Sequence, residues 1–126
     1  MYLGEKNMYR FMRIYDYKND DSCKILIDRM WPRGISKDKI DLWFKDIAPS
    51  KEIVLNYHKD GNYDLFKERY FKELDSNKEI VNKFKDIINS KNTVLLFSSK
   101  NKFNNATVLK EYLERLVWTR KMIYGS

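Results

Sequence analysis

The chain of 126 residues holds one cysteine, one histidine, two prolines and four glycines. The lone Cys23 cannot close an internal disulfide, so a reducing compartment, the cytoplasm, is the expected location. With one histidine and no cysteine cluster there is no ligand set for zinc, and neither a metal nor another cofactor is expected. Four unclustered glycines rule out a glycine-rich phosphate loop. No Gly-x-Ser-x-Gly nucleophile elbow is present. No apolar run approaches the ~20 residues that cross a bilayer, so a membrane is not an expected partner. Met1 to Arg10 mixes charges of both signs without an apolar stretch, unlike a secretory leader. Repeats and low-complexity linkers are absent too. One domain over residues 1–126 is the expectation.

What is present is a chain able to fold. Hydrophobic residues make up 43% and aromatics 15%, too much for a disordered segment. The formal net charge is +7, which favours acidic partners such as phosphates, nucleotides or nucleic acid. The plainer reading is a genome-wide bias toward Lys, Asn, Ile and Tyr. The basic residues are spread along the chain and form no dense tail.

Tyr9 to Tyr15 alternates basic, aromatic and apolar residues and reads as a first strand. Cys23 to Asp28 reads as a second. The polar link Asp16 to Ser22 leaves no room for a crossover helix, so a hairpin is expected. Ser36 is placed to cap a helix over about Lys37 to Ile47 with Ile40, Trp43, Phe44 and Ile47 on one face. Ser50 caps a short helix through Tyr57. Tyr63, Phe66, Tyr70 and Leu74 define a third. Ser76 followed by Glu79 reads as a capping box for a fourth, with Ile80, Phe84, Ile87 and Ile88 as its buried stripe. Thr93 to Phe97 is apolar at nearly every position, as in a strand covered on both faces. A last helix runs from Ala106 to about Arg120 on a face of Leu109, Tyr112, Leu113 and Leu116, and Trp118 is expected to pack near its end. The fold class that follows is α/β: a small mixed three-stranded sheet, its second and third strands parallel, covered by about five helices.

Ligands of such sheets bind beyond the carboxyl ends of parallel strands. Two loops leave those ends, Asp28 to Ile35 and Ser98 to Asn105. In the first, Arg29 and Arg33 can each present a fork of donors to a phosphate or carboxylate, and Asp28 could orient one of them. Trp31 could stack on a ring or plug the sheet edge. Pro32 and Gly34 shape the turn. In the second loop Ser98, Ser99 and Lys100 offer hydroxyls and an ammonium. Asn104 and Asn105 stand at a helix start, which favours an anion. The plainer reading pairs Asp28 with Arg29 or Arg33 and makes Asn105 only a cap. His58 is the single candidate for catalytic proton transfer, although a lone loop histidine is more often a surface residue. Cys23 lies at the opposite end and reads as packing. Tyr57, Tyr63, Phe66 and Tyr70 read as core or groove.

These motifs resemble those of a known family. ILIDRMWPRGIS, Ile25 to Ser36, is similar to the VDRLWPRG signature of the YeaO-like proteins, in domain of unknown function 488. Tyr15-Asp16, the WFKDIAPS stretch from Trp43 to Ser50, Tyr57-His58 with Phe66, Arg69 and Tyr70, and Leu96 to Leu113 match further segments in order. The resemblance covers roughly residues 9 to 116 and implies a small cytoplasmic α/β protein. More distant members carry a cysteine after the last strand. Here Ser98-Ser99-Lys100 stands in that place, so thiol chemistry does not transfer. Asn101 replaces a family aspartate, while Lys100 and Asn105 match.

The reading that gathers most of these features is a small domain binding an anionic small ligand or nucleotide between the two loops. Its rivals are a basic nucleic-acid-binding module using Trp31, and a structural or interaction protein whose WPRG loop only packs. Whether chemistry occurs, and the oligomeric state, stay open at this level.

Overall fold

The computed structural model describes residues 9–124, with side chains through residue 117; the Met1 to Met8 part of the N-terminal expectation and the packing of Trp118 lie outside the described residues and side chains. Thr93–Phe97 forms a strand whose first four residues are all 0% exposed, which explains its unalternating apolar run. It is flanked by Tyr9–Arg13 on one side and Cys23–Leu26 on the other, and Leu42–Trp43 adds a short edge. In chain order these strands are β1 (Tyr9–Arg13), β2 (Cys23–Leu26), β3 (Leu42–Trp43) and β4 (Thr93–Phe97), arranged β1-β4-β2-β3. Every pairing is parallel: Tyr9 lies opposite Thr93, Cys23 opposite Thr93, and Ile25 opposite Leu42.

The sheet is therefore four-stranded and parallel, not three-stranded and mixed, and β1 and β2 form no hairpin. β4 sits between them. The Ile14–Ser22 link manages the return with one 3₁₀ turn, Ile14–Asp16, and then extended chain; at ~2.0 Å per residue in the turn and ~3.3 Å beyond it the reach is roughly 26 Å. A five-residue strand is only about 17 Å tall. On its way the link lays Ile14 and Tyr17 over Val94 and Leu96. Asp20 then fastens it, accepting from the Tyr17 hydroxyl at 2.5 Å, the Ser22 N–H at 2.8 Å and Arg10 at 2.7 Å. Those hydrogen bonds, led by that of Tyr17, hold the Asp20 carboxyl well below the usual carboxylate range.

The helix expected over Lys37 to Ile47 is absent. Two single 3₁₀ turns, Lys37–Lys39 and Lys45–Ile47, bracket β3 instead. The reason is visible in the packing. Ile40 joins Val94 and Leu96 on one face of the sheet, whereas Phe44 and Ile47 enter the main core on the other. One helical stripe cannot serve two faces, so the chain wraps round the edge of β2. Asp41 N–H donates to Lys24 O and Phe44 N–H to Leu26 O along the way.

Four helices follow, one fewer than the periodicity suggests: α1 (Lys51–Asp60), α2 (Tyr63–Ser76), α3 (Lys78–Ser90) and α4 (Asn105–Tyr124). Ser50 caps α1 by accepting from Ile53 N–H, and Asn62 caps α2 by accepting from Leu65 N–H. The capping box at Ser76 does not form. Ser76 is the last residue of α2 and its hydroxyl donates to Lys72 O, so α3 starts at Lys78 with Asn77 at its N-cap and no side-chain cap. Phe66, Tyr70 and Leu74 of α2, Val81, Phe84 and Ile88 of α3, and Leu109, Tyr112 and Leu113 of α4 close over Ile25, Ile27 and Leu95. Trp43, read as part of a helical stripe, is instead half-buried on the edge strand, its indole N–H donating to Asp28 O at 2.7 Å.

Gly61 ends α1 at φ +62°, its N–H donating to Tyr57 O at 2.8 Å. A Cβ there would meet nothing within 4 Å, so the obstacle is conformational alone. Gly61→Ala is expected to cost about 1 kcal/mol, read as a lowered urea midpoint with an unchanged m-value. No change would mean that α1 can end another way.

Candidate functional site

Because β2 and β4 run parallel, the loops after them leave the same rim. They border an open cleft of about 790 Å³. Asp28 to Arg33 forms one wall and Ser98, Ser99 and Asn101 with Phe103 to Asn105 another. The last turn of α1, with Tyr57 and His58, supplies a third, and Phe66 of α2 and Tyr15 complete it.

Asp28 is the tie between the two loops. Its Oδ2 accepts from the Ser98 N–H at 2.9 Å and the Ser98 hydroxyl at 2.8 Å, across 70 residues of sequence. Its Oδ1 accepts from Asn105 Nδ2 at 3.2 Å, and the same amide leans on Ile27 O at 3.4 Å. Among the described residues, no ion pair joins Asp28 to Arg29 or Arg33. The expected orienting role toward an arginine is replaced by one toward Ser98 and Asn105, because the β2–β4 register brings the Ser98 amide within reach.

The two arginines separate. Arg29 is half-buried, donating from Nε to Pro49 O at 2.7 Å and from a terminal nitrogen to Ala48 O at 3.3 Å. Two of its five N–H donors are thus engaged, and no carboxylate neutralises it among the described residues. Arg33 is exposed at the cleft mouth. Its carbonyl accepts from the Tyr15 hydroxyl at 2.7 Å, and among the described residues no hydrogen bond or ion pair engages its guanidinium. Gly34 follows at φ +78°, the left-handed backbone that this turn requires. Trp31 is a plug: its indole N–H donates to Ile35 O at 2.7 Å and its ring meets Trp43 edge-on at 5.4 Å. It is half-buried and also lines the cleft.

The second loop is partly committed to itself. Asn104, 8% exposed, accepts from Thr107 N–H and so caps α4. Ser99 accepts from Asn101 N–H at 3.1 Å and lines the cleft. Lys100 is exposed and does not line it, so the expected cradle loses that ammonium. His58 does line it, exposed, and no hydrogen bond orients its ring among the described residues. No group of three or more His, Cys, Asp and Glu side chains suited to a metal is found among the described residues. Nor is any described helix long and apolar enough to cross a membrane.

Several participants escaped the sequence. Arg13, at the end of β1, donates from Nε to Ser98 O at 3.1 Å and lies over the Tyr15 ring at 4.7 Å. Only the β1–β4 register, opposing Arg13 to Phe97, brings it there. Phe103 is 44% exposed, its ring 4.9 Å from Tyr63 and its carbonyl accepting from the Tyr57 hydroxyl at 3.0 Å. Tyr57 in turn stacks on Phe66 at 4.5 Å. Below this wall Tyr70 donates its hydroxyl to Ile47 O at 2.6 Å. Burial, then the carboxylates of Glu73 and Asp28, push that phenol far above its ordinary range, so it remains a donor.

The class so defined is a small α/β domain with an open cleft at the carboxyl rim of a four-stranded parallel sheet. The family model described as "Inactive DUF488-N3 subclade" matches residues 8–122. The chain belongs to the DUF488 family, in its YeaO-like branch. It is 38% identical over 109 residues to the uncharacterized protein YeaO of Escherichia coli K12, covering 82% of this chain and 95% of that one. It is 45% identical over 69 residues to the uncharacterized proteins Mb3100c of Mycobacterium bovis and Rv3073c of Mycobacterium tuberculosis. Those matches cover 52% of this chain and 58% of each relative. No solved structure matches significantly.

Proposed function

We propose that the chain acts as one YeaO-like domain whose cleft binds an anionic small ligand, carrying phosphate or carboxylate, without turning it over. The observation that carries this reading is Arg33, exposed at the mouth of a preformed cleft with no internal partner for its guanidinium among the described residues. Arg29 adds a partly spent fork from the wall. A guanidinium is suited to bidentate contact with either group. Binding without chemistry is favoured by His58, which no hydrogen bond orients among the described residues, and by the word "inactive" in the description of the matching subclade.

Thermal unfolding with a panel of phosphate- and carboxylate-bearing metabolites is the test. A ligand at a hundredfold its Kd adds about 2.7 kcal/mol, and Arg33→Ala should remove most of that shift while leaving the unliganded Tm in place. A panel that moves neither protein would overturn the reading.

A second reading also has its observation. Asp28, Arg29 and Trp31 all spend hydrogen bonds on the fold itself, as a purely structural WPRG loop would. Under that reading Arg33→Ala changes neither stability nor any ligand response.

A further inference from the structure

We infer that the cleft is built for a nucleoside monophosphate, its base beside Tyr57 and Phe103 and its phosphate on Arg33 and Arg29; this rests on the anion-binding reading above and makes it specific. The volume is the first argument. About 790 Å³ is far more than a bare phosphate or small carboxylate fills, and lies in the range of sites for ligands with a ring system.

Charge is the second. Among the Asp, Glu, Lys and Arg side chains that line the cleft, two guanidiniums face one carboxylate. A single surplus positive charge at an open site is weakly attractive and screened by salt. A doubly charged phosphate therefore needs a further source of affinity, and a di- or triphosphate would bring more negative charge than the site can answer.

The third argument is Asp28. Oδ2 already accepts two hydrogen bonds from Ser98, whereas Oδ1 accepts one from Asn105 and has room for another. A carboxylate on the wall of a cleft repels a simple anion and favours a ligand that also has an N–H or O–H to donate. The exocyclic amine or ring N–H of a nucleobase meets that requirement, as a ribose hydroxyl does, and a nucleoside monophosphate carries both.

The fourth is the aromatic wall. Phe103 exposes 44% of its surface at the cleft, yet it is held in place: its ring rests on Tyr63 and its carbonyl is tethered by the Tyr57 hydroxyl. Tyr57 is braced against buried Phe66. Lys102 Nζ stands 5.1 Å from the Phe103 ring centroid, and the part of this braced aromatic surface that stays exposed is suited to a flat ring.

Isothermal titration of the full chain at low salt decides the matter, with four nucleoside monophosphates (adenine, guanine, cytosine and uracil), ribose 5-phosphate, adenosine and inorganic phosphate as probes. The best nucleotide should bind about tenfold or more tighter than ribose 5-phosphate or phosphate, within what one base–aromatic contact supplies. Phe103→Ala should erase that margin and leave ribose 5-phosphate affinity unchanged, while Phe103→Tyr restores it. Arg33→Ala should weaken nucleotide and ribose 5-phosphate alike. If ribose 5-phosphate binds as tightly as every nucleotide, this inference falls and the anion cleft stands. If no phosphate-bearing probe binds, this inference falls, and with it the phosphate half of the anion-binding reading, whose carboxylate half the thermal panel tests.

Discussion

Asp28→Ala is expected to lose about 2–4 kcal/mol of stability, read by urea unfolding followed through tryptophan fluorescence. The carboxylate accepts three hydrogen bonds from two residues of another loop, among them a main-chain N–H. Hydrogen bonds to a charged acceptor are worth about 1.5–3 kcal/mol each, and a donor left without a partner adds its own desolvation cost. The group is only half-buried, so water recovers part of the loss. Asp28→Asn keeps the shape and one acceptor, and should lose roughly half as much. The alanine variant should also loosen the Ser98 to Asn104 loop, seen as faster amide exchange there than in β4. A cost below 1 kcal/mol with no change in exchange would mean that the two loops stay together without this carboxylate.

Phe84→Ala should be worse, at about 3–5 kcal/mol. Phe84 is 0% exposed at the centre of the main core and meets Phe44 edge-on at 5.2 Å. Truncation leaves a cavity where α3 packs on the last 3₁₀ turn before α1, and ends an aromatic pair worth about 0.5–1.5 kcal/mol. Against the 5–15 kcal/mol typical of a domain, that approaches the whole margin. The melting temperature should drop by roughly 10–20 °C. Phe84→Leu fills most of the hole and should lose less than half as much. Equal losses for the two would locate the cost in the aromatic pair and not in the cavity.

Some of this was legible in the residues alone. A buried central strand announces itself by apolar side chains at consecutive positions, as in Thr93 to Phe97. Ser50 marks a helix start through its own oxygen, and Phe66, Tyr70 and Leu74 mark a face by spacing. The shared rim followed from parallel pairing of β2 and β4. What stayed hidden depended on partners remote in sequence. The Ile14–Ser22 link is too short for a crossover α-helix, yet long enough to return with one 3₁₀ turn, and its composition does not say so. Ile40, Trp43, Phe44 and Ile47 have helical spacing, but Ile40 answers to a different face of the sheet from Phe44 and Ile47. Arg29 looked like a ligand fork because nothing local reveals that Ala48 and Pro49 will present carbonyls to it. Lys100 looked like a cradle residue because its exposed position is a property of the folded loop. Phe103, one aromatic among many, gave no sign of standing at the cleft.

The strand order has a consequence for how the molecule comes into being. The strand that lies between β1 and β2 is the last to be made, beginning at Thr93. Until it emerges from the ribosome, β1 has no neighbour to pair with, and β2 has only the two residues of β3. The N-terminal two-thirds of the chain must therefore wait, its apolar strands unpaired, for a keystone inserted late. Such distant pairing makes for slow, all-or-none folding with a large loop-closure cost, and it places both walls of the cleft downstream of one event, the insertion of β4.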